Sequence, residues 1–198
     1  MFERAVQKLV DGQIEKGALK EEDRNIYRYG YQVLIEFCIN MIVSIAIAVI
    51  FRAFEIVILF TAAYLLIRGY AGGYHARTSF GCFCLSACML ISVILTVQTV
   101  YTWNPAWWML LIPEMVITPF VLKHMPLPVE NKPVSEKERV YFGKKARQIY
   151  CIELTTALIL LCFGKPICTM SILAVHIVLF IMVVIQILKN QKAARTAV

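Results

Sequence analysis

Six apolar stretches, at 33–51, 54–70, 82–101, 105–122, 148–163 and 166–188, leave this chain few folds to choose from. A helix that crosses a bilayer needs about 20 predominantly apolar residues. The chain has 198 residues, 60% hydrophobic and 17% charged. A soluble domain of that make-up would lack the polar surface to cover itself. The same figures exclude a disordered chain, a collagen and a disulfide-stapled module. The expected class is all-α: a single integral membrane domain over 1–198, with six transmembrane helices and an amphipathic start.

The stretches are not equal. The first, third and sixth are long enough to span without adjustment. The second meets Arg68, which can snorkel to the headgroups. The fourth holds Pro113, Glu114 and Pro119, which predict a kink, and Trp107 and Trp108 sit near its end as interfacial anchors. The fifth is short and opens among Arg147, Tyr150 and Glu153. Ahead of them, residues 1–20 place Phe2, Val6, Leu9, Val10 and Ile14 at helical spacing. That pattern predicts an amphipathic helix in the 1–30 segment, lying in the interface or packed on the protein's own cytoplasmic face. The first 30 residues carry twelve charges and no continuous apolar core, so no cleavable signal peptide is expected.

Charge orients the six-span arrangement. Of the twenty Lys+Arg, eighteen fall in the two termini and the loops at 68–81 and 123–147; the other two are Arg52 and Lys165. Basic residues stay on the cytoplasmic side, so both termini and those two loops are expected there, in a multi-pass plasma-membrane protein. Nucleic acid is not an expected partner, and membrane lipid is. The seven cysteines, mostly inside apolar runs, do not read as a disulfide framework. Within the 123–147 loop, Ser135-Glu136-Lys137-Glu138 reads as a helix start.

The segment from Arg68 to Cys82, RGYAGGYHARTSFGC, differs from the rest of the chain. It joins spans 2 and 3 and brings His75 and Cys82 to the cytoplasmic edge. An imidazole that accepts a thiol proton creates a thiolate able to attack a carbonyl, and the positive charge of Arg68 and Arg77 favours that thiolate. In unbroken helix, positions 75 and 82 would be about 10 Å apart, whereas proton transfer needs about 3 Å. Cooperation therefore requires the chain to fold back, which Thr78, Ser79 and Gly81 permit, while Gly72 and Gly73 allow close backbone approach. From residues alone two other readings stand beside thiol catalysis: an ordinary turn followed by a buried cysteine, and a metal site of His75, Cys82, Cys84 and Cys88. The latter lacks the usual spacing of a cysteine knuckle, and no metal or cofactor is expected.

At these residues the chain resembles the accessory gene regulator B family, polytopic membrane cysteine endopeptidases of Gram-positive bacteria. The resemblance is carried by Arg68…Ala71-Gly72-Gly73-Tyr74-His75-Ala76…Cys82, by Pro128-Val129-Glu130-Asn131-Lys132-Pro133 and by the basic Gly143-Lys144-Lys145 run. It implies that the substrate is the precursor peptide of a quorum-sensing autoinducer. Cys82 would release the C-terminal part as an acyl-enzyme forms, with His75 as base and proton donor. An internal Cys or Ser of the retained fragment would then close a thiolactone or lactone. The resemblance also implies a homodimer.

The remaining candidates are weaker. An imidazole in such a pair is often oriented by a third group. Glu36 and Asn40 in span 1 and Glu153 in span 5 lie toward the cytoplasmic half, and Glu36 is preferred. Glu114 lies near mid-span, and His176 reads as a packed or hydrogen-bonded helix residue. His124, though on the cytoplasmic side, has no cysteine near it in sequence. Arg77, Lys132, Lys144 and Lys145 are candidates for attracting an acidic peptide tail and equally for holding topology against anionic lipid. Two competing functions remain: a small transporter or channel, against which the intramembrane acids look few and isolated, and a non-enzymatic scaffold, which gives the glycine-rich junction no purpose.

Overall fold

The computed structural model describes residues 3–71, 79–126 and 135–196. These residues are all helical or connecting turns, with no strand among them. The helices are α1 (Glu3–Glu15), α2 (Arg24–Ile50), α3 (Phe54–Ala71), α4 (Ser79–Trp103), α5 (Ile112–His124), α6 (Glu136–Cys162) and α7 (Pro166–Thr196). Single turns of 3-10 helix precede α2 (Glu21–Asp23) and α5 (Trp107–Leu111).

Four of the predicted spans coincide with helices long and apolar enough to cross a membrane: Glu21–Ile50, Phe54–Ala71, Phe83–Trp103 and Pro166–Lys189. The other two differ for identifiable reasons. The fourth stretch is broken into 3-10 turn and α-helix at Leu111–Ile112, because Pro113 fits the opening turn of a helix but not its interior. Its α-helical part, 13 residues, reaches only about 20 Å. The fifth stretch is the apolar end of a longer, half-charged helix. α6 starts on a capping box in which the Glu138 amide donates to Ser135 Oγ and the Ser135 amide donates to Glu138 Oε2. The helix start expected at Ser135–Glu138 is therefore present, and residues 136–147 of the 123–147 loop belong to it.

α7 is the central helix and packs on α3, α4, α5 and α6. Val175, Leu179 and Val183 are fully or almost fully buried along it. Val175 and Leu179 join Phe60, Ile67, Ile94, Val121 and Tyr150 in one core. α6 turns into α7 at Gly164, whose φ of +67° suits glycine. There the Gly164 and Lys165 amides donate to the Leu161 and Leu160 carbonyls. At the same end, Cys168 Sγ donates to Glu55 Oε1 over 2.7 Å and links α7 to α3.

The apolar stripe of α1 faces its own chain, with Val6 and Val10 buried. Two side-chain bonds fasten α1 to α2: Arg24 Nη1 to Asp11 Oδ1 (2.8 Å) and Tyr31 OH to Gln13 Oε1 (3.0 Å). Of the two placements the sequence allows, packing on the protein is the one these contacts describe. Phe2 lies outside the described residues.

Candidate active site and a buried polar cluster

The thiol segment is carried between two helices, α3 before it and α4 after it. Gly72, Gly73, His75 and Arg77 lie outside the described residues, as do the side chains of Ser79 and Cys82, whose backbone belongs to α4. The fold-back expected at Thr78, Ser79 and Gly81 is not at Ser79 or Gly81, whose backbone is already helical in α4, and the stretch from His75 to Thr78 lies outside the described residues. Its leading flank is well defined. Ile67 and Ala71 are fully buried, which fixes the rotation of the last turn of α3. Arg68 lies half-buried beside them, its Nη1 donating to Tyr64 OH (3.1 Å) and its guanidinium 5.4 Å from the centre of the Tyr64 ring. Tyr64 OH in turn reaches Met182 Sδ on α7 at 3.8 Å. The first cation of the motif is thus tied to the central helix through an aromatic ring rather than extended into solvent.

The basic segment arrives at the same end of the bundle. Tyr70 on α3 meets Phe142 on α6 with ring centroids 6.2 Å apart. Gly143 is buried against Pro126, so close that an added Cβ would sit 2.9 Å from Pro126 Cδ. Arg147 Nε and Nη2 donate to the carbonyls of Leu122 and Met125, closing the C-terminal end of α5. Lys144 and Lys145 point outward and are exposed, with Lys145 Nζ 5.9 Å from the Tyr141 ring centre. Lys132 and the Pro128–Pro133 motif lie outside the described residues. His124 Nδ1 is 2.8 Å from the Phe120 carbonyl, a bond within its own helix.

The preferred third member, Glu36, is half-buried on α2. Its described bonds stay within that helix: Gln32 Nε2 donates to Glu36 Oε1 (3.2 Å), and Asn40 Nδ2 donates to the Glu36 carbonyl (2.9 Å). Cys84 is half-buried and Cys88 exposed, both as free thiols. Among the described residues, no group of three or more His, Cys, Asp or Glu could hold a metal ion.

The most concentrated polar chemistry among the described residues lies elsewhere, inside the bundle. Glu114 of α5, Tyr150 and Glu153 of α6 and His176 of α7 are all buried. His176 Nδ1 is 3.0 Å from Glu114 Oε2, and its Nε2 is 3.5 Å from Glu153 Oε2. Tyr150 OH and Thr118 Oγ1 both donate to Glu114 Oε2 over 3.1 Å. The intramembrane acids, read from sequence as isolated, are therefore gathered around one imidazole. The reading of His176 as a hydrogen-bonded helix residue holds. What sequence reasoning missed is the convergence of three helices at 114, 150–153 and 176, for which the only signal was an acid or imidazole inside each of three apolar stretches.

Comparison with known proteins adds a family to this geometry. The family model described as Accessory gene regulator B matches residues 3–189. A curated relative, "Accessory gene regulator protein B" of Staphylococcus intermedius, is 24% identical over 159 residues, covering 76% of this chain and 83% of its own. No solved structure matches.

Proposed function

The chain belongs to the accessory gene regulator B family, and from that membership we propose that it is the membrane cysteine endopeptidase that processes an autoinducer precursor. The carrying observation is the family match over 3–189, which takes in the whole Arg68–Cys82 segment together with the helices on either side of it.

In this reading α2, α3, α4, the Trp107–His124 segment, the apolar half of α6 and α7 make six crossings. Both termini are cytoplasmic, because that arrangement leaves only Arg52 and Lys165 of the twenty Lys+Arg outside. The Cys82 thiolate attacks the carbonyl of the scissile peptide bond. The C–N bond breaks, the leaving amine takes a proton from the His75 imidazolium, and an acyl-enzyme thioester remains. A thiol of the retained fragment then loses its proton to His75 and attacks the thioester carbonyl. As the bond to Cys82 breaks, the thiolactone is freed, or a lactone when the attacking group is a hydroxyl.

Thioester formation from an amide is uphill, whereas transfer from thioester to thiolactone is nearly neutral. Cyclisation therefore depends on keeping water from the intermediate, which a site enclosed by α3, α4 and lipid favours. Lys144 and Lys145, on the helix that meets α3 at Tyr70–Phe142, attract the acidic part of the precursor. The protein works as a homodimer in anionic lipid.

The test is incubation of the full-length protein in nanodiscs with the precursor peptide, followed by intact mass measurement. An acyl adduct on Cys82, absent from a membrane-inserted Cys82→Ala variant that no longer cleaves, is the expected result. Normal cleavage by Cys82→Ala overturns the proposal, and an adduct on Cys84 moves the site. A second reading, a proton-coupled transporter, is favoured by the Glu114–His176–Glu153 cluster alone. It requires flux in sealed vesicles that survives Cys82→Ala.

A further inference from the structure

We propose that Glu114, His176 and Glu153 form a proton-binding site in the interior of the bundle, with Glu153 as the group that takes up and releases the proton. The site lies about 15 Å along α7 from Pro166, near the middle of that helix's apolar run.

The two carboxyl groups differ in their surroundings. Glu114 Oε2 has three donors within 3.1 Å, from Thr118, Tyr150 and His176 Nδ1. That is the environment of a carboxylate, and it fixes a proton on Nδ1. Among the described residues, neither oxygen of Glu153 accepts a hydrogen bond of good geometry and His176 Nε2 donates none, although all three atoms are buried. Glu153 is only 6% exposed, and the nearest described charge partner is that same Nε2 at 3.5 Å. A carboxylate in such a place would have as its one described counter-charge an imidazolium already bonded to Glu114, so two acids would share a single positive charge against the cost of burying both.

Proton counting defines the occupied state. With Glu114 ionised, His176 as imidazolium and Glu153 as carboxylic acid, the cluster is neutral. Release of the Glu153 proton to solvent breaks one O–H bond and leaves a single net negative charge shared across α5, α6 and α7. Among the described residues, no other acid or base compensates it. α4 contains no Asp, Glu, Lys, Arg or His. On α3, Tyr64 meets α7 six residues further on, at Met182, and carries Arg68 on its hydroxyl, while Glu55 meets α7 eight residues earlier, at Cys168. On α5, Lys123 and His124 sit in the last turn, away from Glu114 in the first. On α6, Tyr150 is bonded to Glu114. Because the site bridges three helices, losing the proton favours their separation or entry of water between them.

The test is infrared difference spectroscopy of the full-length protein in nanodiscs between mildly acidic and mildly alkaline buffer. A carboxylic-acid carbonyl band that shifts in D2O is expected, lost in Glu153→Gln and kept in Glu36→Gln. Its absence from the unmodified protein, or its persistence unchanged in Glu153→Gln, overturns the proposal. Should Glu153→Gln fail to fold, nitrogen NMR of labelled histidine in a His75→Gln/His124→Gln protein reads His176 alone. Ring-nitrogen shifts that titrate with the carboxyl band support the site, and shifts flat across the same range refute it. The band is expected unchanged in Cys82→Ala, so this site and the thiol chemistry stand or fall separately.

Discussion

The imidazole of His176 lies against the phenol ring of Tyr150, ring centroids 3.9 Å apart and planes inclined by 19°. The stack joins α6 to α7 and aims the Tyr150 hydroxyl at Glu114 Oε2, while its apolar faces exclude water from the pair. One aromatic residue thus supplies both packing and a charge-assisted hydrogen bond at the centre of the molecule.

Tyr150→Phe separates these contributions. It keeps the stack and removes one of three donors from a buried carboxylate, a loss of about 1.5–3 kcal/mol for a hydrogen bond to a charged group. Thermal unfolding in nanodiscs should show a lower midpoint. Tyr150→Leu should fall further, by about 0.5–1.5 kcal/mol for the lost ring contact beyond its area. Equal midpoints for the unmodified protein and Tyr150→Phe would show that the hydroxyl contributes nothing.

Two glycine-to-alanine exchanges should have opposite signs. Gly12 lies inside α1, and a Cβ added there would meet nothing within 4 Å, so alanine gains helix propensity of about 0.5–1 kcal/mol. Gly143 gains the same propensity, but its new Cβ would be 2.9 Å from Pro126 Cδ, an atom of a ring fixed to the backbone. Overpacking of about 1–3 kcal/mol then dominates. Unfolding midpoints should rise for Gly12→Ala and fall for Gly143→Ala.

The start of α6 is open to a local test. Ser135→Ala removes the hydroxyl that accepts from the Glu138 amide, at a cost of about 1 kcal/mol. Hydrogen exchange over 136–140 should quicken while exchange at 150–160, deep in the same helix, stays as it was. Uniform quickening along α6 would mean that the cap supports the whole helix rather than its first turn.

How much of this was legible in the sequence depends on whether the signal was local. Four of the six apolar runs, the Ser135–Glu138 capping box and the break near Pro113 are written in adjacent residues, and each has its counterpart in the fold. The helix start at Ser135–Glu138 was readable, but its run through 139–147 was not, because lysines and arginines mark a solvent-facing helix as readily as a loop. The Glu114–His176 contact spans 62 positions, and no local pattern encodes it. Each of its members, taken alone, is an isolated polar residue in an apolar run. His75 and Cys82 are the reverse case, prominent in the sequence through an unusual motif and outside the described geometry.

Lys144 and Lys145 provide the last prediction, which separates substrate attraction from fold. Both are exposed on α6, just beyond the Phe142 that meets α3 at Tyr70, so their charge lies at the end of the bundle that leads into the thiol segment. Neither has a described ion pair, and replacing them costs the fold little. As surface charges each is worth about 0.5–1 kcal/mol toward an acidic peptide. Lys144→Gln/Lys145→Gln should therefore raise KM for the precursor by roughly 5- to 30-fold at low salt. With no charged group withdrawn from the reacting atoms, kcat should hold. The difference should shrink as salt is added, since exposed charges are screened over about 10 Å at 0.1 M. A drop in kcat with KM unchanged would instead make these lysines part of the positioning of the thiol segment.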